Sequence, residues 1–149
     1  MAKRKMISKT HYNYSNPNLE MRINLSRFEK QFEDAQFVLD STVMKDMKPY
    51  MPHQTGTFIN ITSAQSASLA GSGTVVAAAA PMGRFLYEGK VMVDPLTGSP
   101  WARPGAKKVV TDMDLDYSNP RATPHWYDTA KKNHGKSWVN TVKKIAGGG

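Results

Sequence analysis

The clearest hydrophobic pattern in the chain is an apolar stripe at helical spacing in its first third. Apolar residues recur three or four positions apart from Phe28 to Val43, and charged residues fall mostly between them. This spacing places the apolar side chains on one face of an α-helix. Pro49 disfavours helical geometry in the residue before it, so the pattern predicts a helix over residues 27–48, roughly 33 Å long at ~1.5 Å per residue.

Two helix starts carry capping signals. Ser26 followed by Glu29 predicts a capping box at the start of the long helix. Near the C-terminus, Thr123 is expected to be the N-cap of a second helix, with Pro124 in its first turn. That helix has an apolar face and ends at the terminal glycines, and its apolar residues are Trp126, Ala130, Trp138, Val142 and Ile145.

Alternating or β-branched residues predict several short strands. Residues 21–25 alternate apolar and polar side chains, and residues 57–63 are rich in β-formers. Residues 74–79 can return antiparallel after a turn at Gly71–Gly73, and a further strand is expected at 107–110.

The remaining segments predict one short helix and long loops. Residues 82–89 suit a helical turn that places Arg84 and Glu88 one turn apart. Residues 90–120 are rich in glycine and proline, which favours an irregular segment. Together these elements predict an α+β fold: a long N-terminal helix packed on a small antiparallel β-sheet, then a C-terminal helix. We expect a single domain over residues 20–149, preceded by a basic extended arm over residues 1–19.

The positive charge lies at the two ends of the chain. The 149 residues carry a formal charge of +8, of which residues 1–9 contribute +4, residues 121–149 contribute +5 and the intervening segment −1. Basic ends of this kind suit nucleic acid or an acidic protein surface, and charge alone does not choose between them.

Neither the composition nor the motifs of the sequence indicate a catalytic site. There is no cysteine, so disulfides, thiolate metal sites and cysteine nucleophiles are excluded. No Gly-x-Ser-x-Gly elbow or phosphate-binding loop is present, and the acids at 112, 114 and 116 lack the other ligands of an EF-hand. We therefore expect no catalytic, cofactor-binding or metal-binding residues. Without an apolar run of ~20 residues or a signal-peptide core, a soluble, non-secreted protein is expected.

Trp101 stands apart from the other two tryptophans because it lies in a segment rich in glycine, proline and serine. A large aromatic residue in such a loop is often an anchor for another surface, and Arg103 lies two residues away. From residue type and position, we expect interface or DNA-facing side chains at Lys3, Arg4, Lys5, Arg84, Tyr87, Trp101, Arg103, Lys131 and Lys132.

Three ordered segments resemble the minor capsid, or neck, proteins of long-tailed bacteriophages, also described as tail-completion or tail-component proteins. Residues 49–58 are similar to the family's Pro-Tyr-x-Pro and Thr-Gly-x-Leu element, with Phe58 in place of leucine. Residues 80–90 resemble Pro-Tyr-Ala-Arg-x-x-Tyr-x-Gly, with Met82-Gly83 in place of Tyr-Ala. Residues 121–131 resemble the terminal Pro-x-Trp-Phe-x-x-Ala-Lys helix.

The resemblance implies a non-enzymatic structural protein of the virion, located at the head–tail neck and in the host cytoplasm during assembly. It implies a homo-oligomeric ring, a hexamer or a dodecamer, that joins or completes the head–tail junction beside other neck, connector or tail proteins. It implies no cofactor, membrane or small-molecule substrate. In such a ring, terminal lysines that face the channel would meet packaged DNA.

Two other functions stay open from the sequence. One is a stand-alone basic nucleic-acid-binding protein that holds phosphates with residues 1–9 and the helix over residues 121–145. The other is a small hydrolase or nuclease, which the absence of a catalytic constellation disfavours.

Overall fold

The computed structural model describes residues 11–147 as four α-helices and four strands. In chain order these are β1 (His11–Asn16), β2 (Leu19–Asn24), α1 (Ser26–Met47), α2 (Thr57–Leu69), α3 (Gly83–Glu88), β3 (Lys90–Val93), β4 (Val109–Asp114) and α4 (Trp126–Ile145). A 3₁₀ turn at Lys48–Tyr50 follows α1. β1 pairs with β2, and β3 pairs with β4, in two separate antiparallel sheets. The predicted α+β class, with a long helix, a C-terminal helix and small antiparallel sheets, is confirmed.

The long helix α1 lies within one residue of its predicted bounds, but its predicted capping box is wrong. The N-cap position falls on Leu25, and no side chain caps the helix there. Ser26 is already helical, and its backbone N–H and its hydroxyl both donate to Asn24 Oδ1, at 2.9 and 2.6 Å. Asn24 thus accepts the Ser26 N–H that the predicted box assigned to Glu29, and the Glu29 N–H donates to Leu25 O at 3.1 Å and not to the Ser26 hydroxyl.

The core of the molecule is formed where α1 packs antiparallel to α4. The indole N–H of Trp138 donates to Asp46 Oδ2 at 2.7 Å, and further along the pair Gly147 lies beside Gln31. The main neighbour of the long helix is therefore a second helix and not the predicted sheet. The buried cluster between them consists of Val43, Met44, Met47, Met51, Trp126, Ala130 and Trp138.

The strand predicted over residues 57–63 is wrong, because this segment begins helix α2. Gly56 adopts a left-handed conformation with φ of 77° and forms the N-cap of α2. The buried positions Thr62 and Ser66 are four residues apart, which places both on one face of a helix. Tertiary packing of this face outweighs the β-propensity of the isoleucines and threonines.

The strand predicted over residues 74–79 is also wrong, although the predicted turn at Gly71–Gly73 is confirmed. The segment runs along α2 and its backbone bonds to side chains of that helix. Ser66 Oγ donates to Val76 O and accepts from Val76 N, both at 3.0 Å, while Thr62 Oγ1 accepts from Ala79 N at 3.2 Å. Buried hydroxyl groups thus take the place of a partner strand.

Helix α4 begins later than predicted, and Thr123 is not its N-cap. The backbone N–H of Thr123 donates to Tyr50 O at 3.1 Å, and that of His125 donates to Tyr87 O at 2.9 Å. These bonds hold the chain outside helical geometry up to His125, which is left-handed with φ of 50°. The first helical residue is Trp126.

The two antiparallel pairs give the predicted strands their partners. The strand predicted over residues 21–25 is confirmed as β2, and its partner β1 comes from the predicted arm, so the expected boundary at residues 19 and 20 lies inside a hairpin. Residues 1–10 of that arm lie outside the described residues. The strand predicted at 107–110 overlaps β4, which pairs with β3. Within residues 11–147, no helix is long and apolar enough to cross a membrane.

Candidate interaction surface

The most exposed large apolar side chain in the described part of the chain is Trp101, which keeps 84% of its surface in contact with solvent. It lies in the connection between β3 and β4, which also carries a second apolar side chain, Leu96, that is 74% exposed. Interfaces are enriched in tryptophan, and an indole this exposed contributes little to the stability of the isolated fold. The loop from Asp94 to Arg103 is therefore the candidate contact surface.

The loop that carries Trp101 is organised by the buried carboxylate of Asp94. Its side chain exposes none of its surface. It accepts hydrogen bonds from the backbone N–H of Leu96 at 2.8 Å, of Thr97 at 3.3 Å and of Arg103 at 3.0 Å. The Arg103 guanidinium adds two more, from Nε at 2.9 Å and Nη2 at 3.2 Å. These bonds from Arg103 and the loop amides hold the pKa of Asp94 well below its usual value of 3.8.

Arg103, predicted as an interface residue, binds another residue of its own loop. Its guanidinium binds both oxygens of Asp94 and leaves about half of the side chain exposed. An arginine fixed in this way closes the loop and keeps the segment that bears Trp101 in one conformation. The sequence analysis missed Asp94, although an aspartate followed by Pro-x-Thr-Gly is typical of a turn in which the carboxylate accepts backbone N–H groups.

The predicted site residues of α3 have different surroundings. Arg84 is exposed and forms no ion pair within residues 11–147. The Tyr87 ring instead packs edge-on against Trp126, with centroids 4.8 Å apart, and against His125 at 4.9 Å. Burial, with the nearby Asp128 carboxylate, raises the pKa of the Tyr87 phenol. Tyr87 is therefore mainly a packing residue.

The three segments that carry the family resemblance meet around Trp126. The ring of Phe58, from the first segment, lies 5.9 Å from the Trp126 ring in an edge-on contact. The second segment contributes Tyr87, and the third contributes Trp126 itself, which is fully buried. The Trp126 indole N–H donates to Ala77 O at 2.9 Å, so the cluster is also hydrogen-bonded to the segment along α2.

The predicted basic residues are not gathered into one site. Lys131 and Lys132 are exposed on α4 and form no ion pair within the described residues. Lys3, Arg4 and Lys5 lie outside the described range. Residues 11–147 contain no group of three or more histidine, aspartate or glutamate side chains arranged to hold a metal ion. The structure thus offers separate surfaces: the Trp101 loop, exposed Arg84 and the lysines of α4.

Comparison of the chain with protein-family models, with curated proteins and with solved structures finds no match.

Proposed function

We propose that this protein is a structural subunit of the head–tail neck of a long-tailed bacteriophage. In this role it assembles as a homo-oligomeric ring that joins or completes the head–tail junction, and it has no catalytic activity and no cofactor. The ring contacts other neck, connector or tail proteins, and the basic ends of the chain approach packaged DNA.

The observation that carries this proposal is the meeting of the three resemblance segments around Trp126. They are separated by more than twenty residues along the chain, yet Phe58, Tyr87 and Trp126 form one aromatic cluster. Backbone bonds from Thr123 to Tyr50 and from His125 to Tyr87 join the same three segments. This convergence supports treating the three segments as one structural unit, as the resemblance implies.

The exposed apolar residues also suit a subunit that is covered by neighbours. Trp101 is held at the surface by a loop that is already ordered, so binding would require little further loss of conformational entropy. A closed ring uses two different faces of each subunit, one for each neighbour. A chain that forms such a ring is expected to display more than one apolar surface when alone.

Imaging of phage particles that contain a labelled subunit tests the proposal. Since the chain has no cysteine, a single cysteine at exposed Asn140 gives one attachment point for a gold label, and the cysteine-free parent chain is the matched control. We expect label at the head–tail junction, repeated around the particle axis, and none with the parent chain. A protein that is absent from particles and monomeric in solution would contradict the proposed function.

Nucleic-acid binding is the second candidate function, and one observation on α4 favours it. Lys132, Lys136 and Lys143 lie within about 40° of one another around the helix at ~100° per residue. All three are exposed, and none forms an ion pair within residues 11–147. They form a stripe about 16 Å long, which is suited to successive phosphates of a DNA strand.

Salt-dependent DNA binding by the isolated chain tests this second candidate. Three phosphate contacts predict that log affinity falls by about 2.7 per unit of log salt concentration. Changing the three stripe lysines to glutamine should remove most of that slope. The control has the same charge change on α1 and the 3₁₀ turn that follows it, with glutamine at the exposed positions Lys30, Lys45 and Lys48. Equal loss of binding in both triple variants would refute a specific role for the α4 stripe.

A further inference from the structure

The β1–β2 hairpin has one apolar face that the described part of the chain leaves about half exposed. Its register pairs Tyr12 with Ile23 and Tyr14 with Met21, and directly paired residues of an antiparallel sheet point to the same side. Leu19 lies on that side as well, opposite Asn16. These five apolar side chains are between 42% and 55% exposed. Every one of the twelve strand residues is exposed, and the main contacts of each strand are with the other strand.

Such a hairpin is incomplete as an isolated structure. A two-stranded hairpin is marginally stable in water unless its apolar face packs on something else. Five half-exposed side chains of this size offer roughly 400 Å² of surface. A standard interface buries about 800 Å² on each partner, with an apolar core and a polar rim. In such an interface, the apolar face of the hairpin supplies the core, and the strand edges and polar residues of the hairpin supply the rim.

A second apolar surface lies at the other end of the molecule, in a groove between α3 and β3. The groove has a volume of about 730 Å³. Met82, Phe85 and Met92 are among the apolar side chains that line it, and Lys107 and Lys108 contribute to its wall. Met82 is itself 58% exposed, and Pro100, the residue before Trp101, also lines the groove. The groove therefore adjoins the candidate contact loop.

The hairpin and the groove are at opposite ends of α1, so they cannot meet within one chain. The hairpin leads directly into Ser26 at the start of α1, while α3 is joined to the segments that follow the end of α1. The 22 residues of α1 span about 33 Å at ~1.5 Å per residue. A contact between the two surfaces therefore requires two molecules, arranged head to tail.

We propose that the apolar face of the β1–β2 hairpin docks into the α3–β3 groove of a second copy of this chain. Each copy then offers a hairpin to one neighbour and a groove to the other, and this heterologous contact closes into a ring if the rotation per subunit allows it. This inference rests on the proposed neck function, because the hairpin–groove contact is the subunit contact from which the proposed ring is built.

Cross-linking between two cysteine variants tests the contact, since the parent chain has no cysteine. Tyr14→Cys places a thiol on the apolar face of the hairpin, and Met82→Cys places one at the groove. The two full-length chains carry different affinity tags and are co-expressed, and a short thiol-specific cross-linker is added. The matched control replaces Tyr14→Cys with Asn13→Cys, whose side chain lies on the opposite face of the same hairpin. Circular dichroism of every variant is compared with that of the parent chain to check that the helical fold is kept. We expect the two hairpin variants to fold normally because the hairpin lies outside the buried core.

We expect a mixed dimer of Tyr14→Cys and Met82→Cys chains, formed at least about tenfold more than with Asn13→Cys. A double variant with both changes in one chain should give a ladder of cross-linked oligomers. Cross-links between two Tyr14→Cys hairpins that equal the mixed product would overturn the proposal in favour of a symmetric contact. Absence of a mixed cross-link between folded Tyr14→Cys and Met82→Cys chains would overturn it as well.

The two proposals fail in different experiments. Head-to-tail cross-linking of a chain that never enters particles would refute the neck function and leave the hairpin–groove contact intact. Label at the head–tail junction, with no hairpin–groove cross-link in those particles, would refute the contact and leave the neck function intact.

Discussion

The change from Trp101 to alanine should separate assembly from stability more cleanly than any other substitution in the described chain. Because Trp101 is 84% exposed, only about one sixth of its surface is covered in the isolated subunit. A tryptophan side chain buries up to ~250 Å², so that fraction is roughly 40 Å². At ~25 cal/mol per Å², the free energy of unfolding should fall by about 1 kcal/mol at most.

The effect on assembly should be several times larger. If a neighbouring subunit covers the exposed part of the indole, roughly 210 Å² is removed from water, which amounts to an upper value of about 5 kcal/mol. Measured losses at interface tryptophans are about 2–4 kcal/mol, or roughly 30-fold to 900-fold in the subunit dissociation constant. The ordered loop under Trp101 favours the upper part of this range because little ordering remains to be done on binding.

Two measurements on the same protein samples check this reasoning. Urea denaturation gives the free energy of unfolding, and sedimentation velocity over a range of concentrations gives the subunit dissociation constant. Val139→Ala is the control, since Val139 is a 53% exposed apolar residue on α4, away from the loop. A loss of stability above about 2 kcal/mol in Trp101→Ala, or a dissociation constant no different from that of Val139→Ala, would refute the role assigned to the loop.

Four further substitutions test the packing and charge of the isolated fold. In Asp94→Asn, amide hydrogen exchange in the Trp101 loop should be faster at neutral pH. Because folding lowers the pKa of Asp94, its carboxylate stabilises the fold fully above about pH 3.8, and this stabilisation is lost as the pH falls through the pKa of the folded state. The contribution of Asp94 to the pH dependence of the free energy of unfolding should therefore be absent in Asp94→Asn. Gly83→Ala should destabilise the fold by about 1–3 kcal/mol because the new Cβ would lie 2.5 Å from the Ala78 carbonyl carbon. Gly135→Ala, where the added Cβ meets only an ordinary 3.7 Å contact, should instead stabilise by about 0.5–1 kcal/mol, and equal effects in thermal denaturation would contradict this. Trp126→Phe should cost about 2–3 kcal/mol in urea denaturation, since it removes buried volume and the hydrogen bond to Ala77 O; an unchanged midpoint would argue against that buried contact.

Hydrophobic periodicity determined the parts of the fold that local physics controls. The bounds of α1 followed from a stripe of apolar residues and from Pro49, because both act through the conformation of the segment itself. The short helix α3 and the turn at Gly71–Gly73 were predictable for the same reason. The same pattern analysis could place Trp101 in an exposed loop, because glycine and proline around it exclude regular structure.

Contacts between distant segments decided what the sequence alone did not. Residues 57–63 have β-propensity, but the buried hydroxyls of Thr62 and Ser66 bind the backbone of residues 76–79, which requires a helix at that place. The start of α4 depends on backbone bonds to Tyr50 and Tyr87, which are far away in the sequence.

The candidate surfaces, too, were determined partly by the sequence and partly by the tertiary structure. The sequence by itself determined that the chain has no cysteine, carries basic ends and displays a tryptophan outside its helices. The turn motif that begins at Asp94 indicates that its carboxylate accepts nearby N–H groups, but only the three-dimensional structure showed that Arg103, nine residues further on, binds the same carboxylate and closes the Trp101 loop. The opposite positions of the hairpin and the groove likewise depend on α1 standing between them, since strand register and helix packing set distances that residue order does not.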